Sequence, residues 1–239
     1  MTEALYHTDS YLQEFTARVT SVDEAARALV LDRTAFYPGG GGQPCDFGYL
    51  SAGANTWQVE KTKKDGEDIF HFVAGTEPLP QVGQELSGKL DWQRRYRLMR
   101  THTAMHILCG VVFRDYGAHV TGGDMDIAQA RMDFEFESMS RELVSVIEQA
   151  VNREVERDLP IRVQILPREE AFQIPDLIRT KINLLPAGIA NIRTVEIVGL
   201  DLQADGGTHV HSTSEVGQIR LVDYKSKGKI NKRLYVELA

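Results

Sequence analysis

Two histidines four residues apart, His102 and His106, sit in THTAMHILCG, inside the most regular apolar period of the chain. On a helix this spacing puts both imidazoles on one face, a turn apart, where they can share a metal ion. Taken alone, a helical histidine pair is more often structural or exposed than ligating. Zincin peptidases use the same spacing but need a glutamate directly after the first histidine as general base. Thr103 stands there, which argues against that chemistry. Far downstream, DLQADGGTHVHS adds His209 behind two glycines that permit a tight turn, with Asp205 four residues earlier and His211 two later. Three imidazoles with one oxygen or sulfur donor suit zinc. Asp205 reads equally well as a fourth ligand and as a turn residue capping its own backbone. His211 reads as a surface neighbour of the site.

These residues need elements to hold them. Asp91 is a plausible N-cap for a helix carrying Leu98, Met105, Leu108 and Val112 through Tyr116, with Gly117 as its stop. Before it, short strands are expected at Phe15–Thr20, Ala28–Leu31, Trp57–Val59 and Ile69–Val73, the last two separated by the charged turn KKDGED. Strands this short with turns between them suggest a small barrel. AFYPGGGGQP, from Ala35 to Pro44, interrupts them as a loop that can be neither helix nor regular strand. After the helix, Arg131–Glu137 alternates with Met132, Phe134 and Phe136 on one face, the pattern of a half-buried strand. Ser140 caps a second helix with Leu143, Val146, Ile147, Ala150 and Val151, ending before Pro160. Further strands are expected at Ile161–Leu166, Ile192–Val198, Gly217–Val222 and Leu234–Leu238. The fold class expected is α+β, with a β-barrel domain over residues 1–90 packed on an α+β domain over residues 91–239. No internal repeat or low-complexity linker separates them.

The 239 residues suffice for one large domain or two small ones. A net charge of −7 weighs against coating nucleic acid through bulk electrostatics. Yet Arg94, Arg95, Arg97 and Arg100 cluster before the first histidine, and YKSKGKINKR contributes Lys225, Lys227, Lys229, Lys232 and Arg233 with no acid. An acidic protein with two basic patches suits a ligand held at one anionic end, although each patch alone reads first as a solvated face. No apolar run approaches the roughly 20 residues that span a bilayer, so no membrane partner is expected. MTEALYHTDS lacks the basic-then-apolar pattern of a secretory signal. Cys45 and Cys109 form no disulfide framework, and a reducing cytoplasm is the simple reading. The oligomeric state is left open.

HTAMH and ADGGTHV resemble the two metal motifs of the editing domain of alanyl-tRNA synthetase and of its free-standing relatives, the AlaX proteins. TAFYPGGGGQPCDFG is similar to the glycine-rich motif of the longer AlaX forms, the stretch from Ile192 through DGGTHVHS to Ile219 resembles the segment around the second metal motif, and KSKGKINKRL resembles the terminal basic stretch. The resemblance runs from about Leu31 to Leu238. It implies a translation-protein-like barrel followed by the editing domain shared with threonyl-tRNA synthetase, and no synthetase catalytic core. The implied activity is hydrolysis, in trans and without ATP, of the ester joining serine, or glycine, to alanine tRNA. The implied cofactor is a single zinc ion per chain, held by His102, His106, His209 and the residue at 205. Most of the family has cysteine there, and Asp205 offers a harder donor in its place. The resemblance further implies that the loop carrying Gly41 and Gly42 closes on the amino acid, with Thr34 and Gln43 as flanking polar groups. Arg97, Lys227, Lys229, Lys232 and Arg233 would hold acceptor-end phosphates. Two other classes fit the residues less well: another zinc-dependent aminoacyl-ester hydrolase, and a non-catalytic tRNA-binding module.

Overall fold

The computed structural model describes residues 1–180 and 188–239. The chain forms two compact units, Met1–Tyr96 and Arg97–Ala239. The first holds β1 (Glu3–Ala4), β2 (Glu14–Asp23), β3 (Ala28–Leu31), β4 (Arg33–Thr34), β5 (Gly48–Ala52), β6 (Asn55–Asp65), β7 (Asp68–Val73) and β8 (Glu85–Leu90). Six of these close into a barrel in the order β2-β3-β7-β6-β5-β8, which removes the exposed edges a small open sheet would leave. Strict alternation drives the closure: Phe15, Ala17 and Val19 of β2 point inward, as do Leu86 and Leu90 of β8. With Leu29, Leu31, Phe36, Leu50, Trp57 and Val59 they form one core, each large side chain contributing about 1.5–3 kcal/mol on burial. Outside the barrel, β1 pairs in parallel with β4, setting Ala4 opposite Thr34.

Helix α1 (Trp92–Tyr116) starts where Asp91 Oδ1 accepts a hydrogen bond from Arg94 N at 3.1 Å, and it stops at Gly117, whose φ of 64° is the left-handed geometry expected of a helix terminator. The sequence pattern starts a new domain at Asp91, whereas the compact units divide after Tyr96. The reason is local: Arg95 is buried against barrel residues, ion-paired to Asp46 and donating to the carbonyls of Ser10 and Ala35.

The second unit contains β9 (Val120–Asp126), β10 (Gln129–Glu135), α2 (Arg141–Glu156), β11 (Ile161–Pro167), α3 (Arg168–Ala171), β12 (Asn191–Ile197), β13 (Asp201–Ala204), β14 (Ile219–Gly228) and β15 (Asn231–Leu238). Among the described residues, two sheets result, ordered β14-β15-β10-β9 and β11-β12-β13, so the unit is α+β. Ser140 caps α2, its hydroxyl accepting from Leu143 N at 3.2 Å. Val144, Ile147, Val151 and Val155 make the buried stripe of this helix. Asn152 of α2 fastens β14 by donating to Ile219 O at 2.8 Å and accepting from Ile219 N at 3.0 Å. Among the described residues no helix is long and apolar enough to cross a membrane.

A candidate metal centre and a glycine loop

Every residue of α1 from Thr101 to Val112 is buried. His102, Thr103 and His106 are therefore polar groups in an apolar interior and require partners. The chain following β13 provides them. Pairing of β12 with β13 ends at Thr194↔Ala204, after which Asp205 N donates to Arg193 O at 3.0 Å. Gly207 N then donates to Asp205 Oδ2 at 2.8 Å, an Asx-type turn that swings the chain back. His209 follows, its Nε2 3.0 Å from Asp205 Oδ2 and its Nδ1 3.1 Å from Thr103 Oγ1. The same hydroxyl oxygen accepts from Val210 N at 3.3 Å, so Thr103 locks this segment to α1.

The outcome is convergence. His102 Nε2 lies 3.6 Å from Asp205 Oδ1. The ring of His209 stacks on that of His102 at 4.3 Å and meets His106 edge-on at 4.6 Å. One donor atom from each of His102, His106, Asp205 and His209 falls within 4.8 Å of all the others. Three imidazoles and a carboxylate in that volume fit a divalent ion of borderline softness, zinc foremost. Asp205 has both features weighed from sequence: one oxygen makes the turn, and the carboxylate stands among the imidazoles. Cys109 is buried, with its thiol pushed up by burial, and is not one of these four; His211 is exposed.

Electrostatics suit a cation. Burial pushes His102 down to about 4 and His209 well below its usual value, so both rings are neutral near pH 7, the form in which an imidazole can bind a metal. For Asp205 burial works against ionisation, but the surrounding histidines outweigh it and hold the carboxyl well below the usual range. Arg193, also buried, donates to Asp205 O at 3.0 Å and sets Nη1 3.7 Å from Oδ2. Sequence reasoning missed Asp201, whose Oδ2 lies 3.6 Å from His106 Nδ1. Burial opposes a charge on His106, yet the Asp201 contact and the charges of Asp205 and Asp201 raise it overall. An acid four residues before Asp205 carries no motif, and only the register of β13 brings it to the helix.

In the barrel unit the glycine loop is held at its stem and open at its tip. Tyr37 N donates to Asp46 Oδ2 at 2.6 Å, and Asp46 N returns a bond to Tyr37 O at 3.0 Å. Gly40 and Gln43 exchange backbone hydrogen bonds at 3.0 and 2.9 Å. Gly41 and Gly42 form the exposed tip with φ of 59° and 90°, where a side chain would be strained. Gln43 and Thr34 are buried. Thr34 Oγ1 accepts from Phe36 N at 3.1 Å and lies 2.8 Å from His71 Nε2. His71 Nδ1 faces Leu29 O at 3.2 Å. A carbonyl only accepts, so Nδ1 carries the proton. Burial pushes this ring down to about 4, so Nε2 is bare and the Thr34 hydroxyl donates to it.

The basic residues divide sharply. Arg97, Lys227 and Lys229 are exposed. Lys232 is buried, its Nζ donating to Gly228 O and Lys229 O inside the β14–β15 hairpin. Arg233 pairs with Asp133 through two bonds of 2.7 and 2.8 Å. Arg94 lies over the Phe47 ring, and Arg100 donates to Val216 O and Ala239 O.

Two family models match separate parts of the chain. The family model for class II (A) tRNA synthetases matches residues 4–94, and that for the second additional domain of threonyl and alanyl tRNA synthetases matches residues 192–235. Alanyl-tRNA editing protein AlaX-M of Saccharolobus solfataricus is 40% identical over 237 residues, 98% of either chain. The chain belongs to the AlaX-M family. AlaX-M of Methanosarcina mazei is 39% identical over 246 residues, covering 100% of this chain and 97% of its own. Alanine–tRNA ligase of Pyrobaculum neutrophilum shares 39% identity over 227 residues, 92% of this chain but 25% of the ligase. An AlaX-M chain thus corresponds to about a quarter of such a ligase.

Proposed function

We propose that this AlaX-M protein is a free-standing, cytoplasmic deacylase that hydrolyses the ester of mischarged alanine tRNA, with serine as the preferred amino acid and glycine as a second. The observation that carries the reading is the donor cluster of His102, His106, Asp205 and His209, gathered within 4.8 Å in a buried site. A single zinc ion bound there supplies Lewis acidity and a fixed positive charge for the aminoacyl group. The chain's own residues do the rest. Thr103 holds the His209 ring through Nδ1, and the Asx turn at Asp205 keeps the carboxylate aimed at the imidazoles. Four protein donors favour anchoring of the amino acid over activation of water. Water adds to the ester carbon, the bond to the ribose oxygen breaks, and that oxygen leaves with a proton.

We assign the metal to residues 91–239 and recognition of the amino acid to the loop of residues 1–90. Backbone N–H groups around Gly41 and Gly42, flanked by Gln43, serve the developing oxyanion or the ribose. Because the Thr34 proton goes to His71, Thr34 is an acceptor, suited to the hydroxyl proton of serine. Phe36 N already occupies one of its lone pairs, so the serine hydroxyl takes the second, a hydrogen bond that alanine has no group to make. The exposed Arg97, Lys227 and Lys229 make the contacts to acceptor-end phosphates, whereas Lys232 and Arg233 are engaged with partners of their own.

Parallel hydrolysis of serine-charged and alanine-charged tRNA tests this. Selective release of serine is expected, with Thr34→Val abolishing the preference while the metal stays bound. Metal-loaded protein that spares the serine ester, or cleaves both esters alike, would overturn the assignment. Undiminished rates on a minimal ester without tRNA would point instead to a general ester hydrolase.

A further inference from the structure

We infer that Asp201 is a positioning residue for the metal centre, holding the His106 ring so that Nδ1 faces its carboxylate and Nε2 is left for the ion. The inference rests on the metal reading of the cluster and adds to it a residue outside the ligand set. His106, Gly110 and Phe113 lie at i, i+4 and i+7 on one face of α1. Leu200 and Asp201 run against that face. A Cβ at Gly110 would stand 2.9 Å from Asp201 Cβ and 3.0 Å from Leu200 Cγ, so the glycine permits an approach that any side chain would block. It lies in a helix interior, where glycine is otherwise unfavourable, and this close approach accounts for it.

The carboxylate is itself held in place. Its side chain is 0% exposed, and a buried carboxylate persists only when paired and hydrogen-bonded. Arg179 Nε donates to Oδ1 at 3.1 Å, and Gln203 Nε2 donates to Oδ2. The Arg179 guanidinium is fixed in turn, lying 4.0 Å over the Phe113 ring and donating to Asp176 O at 2.7 Å. A connected series therefore runs from Phe113 through Arg179 and Asp201 to His106. At its end, His106 Nδ1 is buried and has no hydrogen-bond partner among the described residues; Asp201 Oδ2, at 3.6 Å, is slightly beyond that range. An ionised carboxylate can only accept, so Nδ1 must carry the proton and Nε2 the lone pair. Orientation of a ligating imidazole by a carboxylate on its other nitrogen tightens metal binding. His209 has Thr103 in the equivalent position.

Chelator competition on wild type, Asp201→Asn and Arg179→Met, with thermal unfolding of the metal-free forms, separates positioning from mere structure. Asp201→Asn should weaken zinc binding about 10–100-fold, because an amide offers a donor or an acceptor and no longer fixes the tautomer. Arg179→Met keeps the carboxylate and should weaken binding less. Folded Asp201→Asn protein with wild-type zinc affinity would overturn the inference. Wild-type protein that binds no zinc would instead remove the metal reading, and this inference with it. Should Asp201→Asn fail to fold, the nitrogen-15 spectrum of zinc-loaded wild type decides the matter. A proton on His106 Nδ1 with Nε2 on the metal is expected, and a proton on Nε2 would overturn it.

Discussion

His71 in the barrel and His102 in the donor cluster are both pushed down to about 4 by burial, yet their surroundings differ. His71 is satisfied within its own unit: Leu29 O takes one ring nitrogen and the Thr34 hydroxyl the other. His102 shares its surroundings with two more imidazoles and a carboxylate whose donor atoms converge within 4.8 Å. A low pKa therefore marks burial, and convergence marks a site. The barrel histidine fixes the polarity of one hydroxyl; the cluster has the donors to hold a cation.

The largest expected effect that bears on this contrast comes from His209→Ala. Metal content should fall from about one ion per chain to background, and deacylation by more than the about 10–100-fold of an outer contact. Retention of metal by that variant would show that convergence is not what makes the site. His71→Phe should do the reverse. Leaving the Thr34 hydroxyl proton without its buried acceptor costs about 1–3 kcal/mol of stability, with zinc content unchanged; a parallel loss of zinc would dissolve the contrast. The pH dependence sharpens it further. Below pH 6.5 the unfolded chain protonates His71, while the folded barrel refuses the proton until about pH 4. Stability thus falls as pH drops through that window, by at most about 1.4 kcal/mol per unit from this group. The difference between wild type and His71→Phe isolates it, and parallel pH curves for the two would refute it. The smallest effect is electrostatic. Replacing Lys227 and Lys229 with alanine should weaken tRNA binding across salt concentrations and lower the salt slope by about 0.7–0.9 for each phosphate no longer neutralised. An unchanged slope would place the phosphates elsewhere.

Much of this was legible in the sequence because it rests on short-range rules. Four-residue spacing placed His102 and His106 on one helical face, Asp91 and Ser140 capped their helices, and Gly117 stopped α1. Strands diluted by glycine, serine or lysine were harder. β5 (GYLSA) and β9 (VTGGDMD) show weak alternation, and pairing with neighbours distant in sequence decides them. For the same reason β14 extends to Gly228, beyond the Val222 expected, and YKSKGKINKR is a hairpin rather than a uniform basic stretch. Hence Lys232 and Arg233 find partners that composition cannot reveal. Asp201 and His71 were invisible as functional groups, since nothing near them in sequence announces the atoms they meet in space.

The most direct test is titration of metal back into chelator-stripped protein, following release of serine from serine-charged alanine tRNA. Activity should be absent at the start and rise in step with zinc to a plateau at about one equivalent per chain, and His209→Ala should stay flat throughout. Full activity in the stripped protein, or equal restoration of the variant, would contradict the claim that His102, His106, Asp205 and His209 hold the ion on which the chemistry depends.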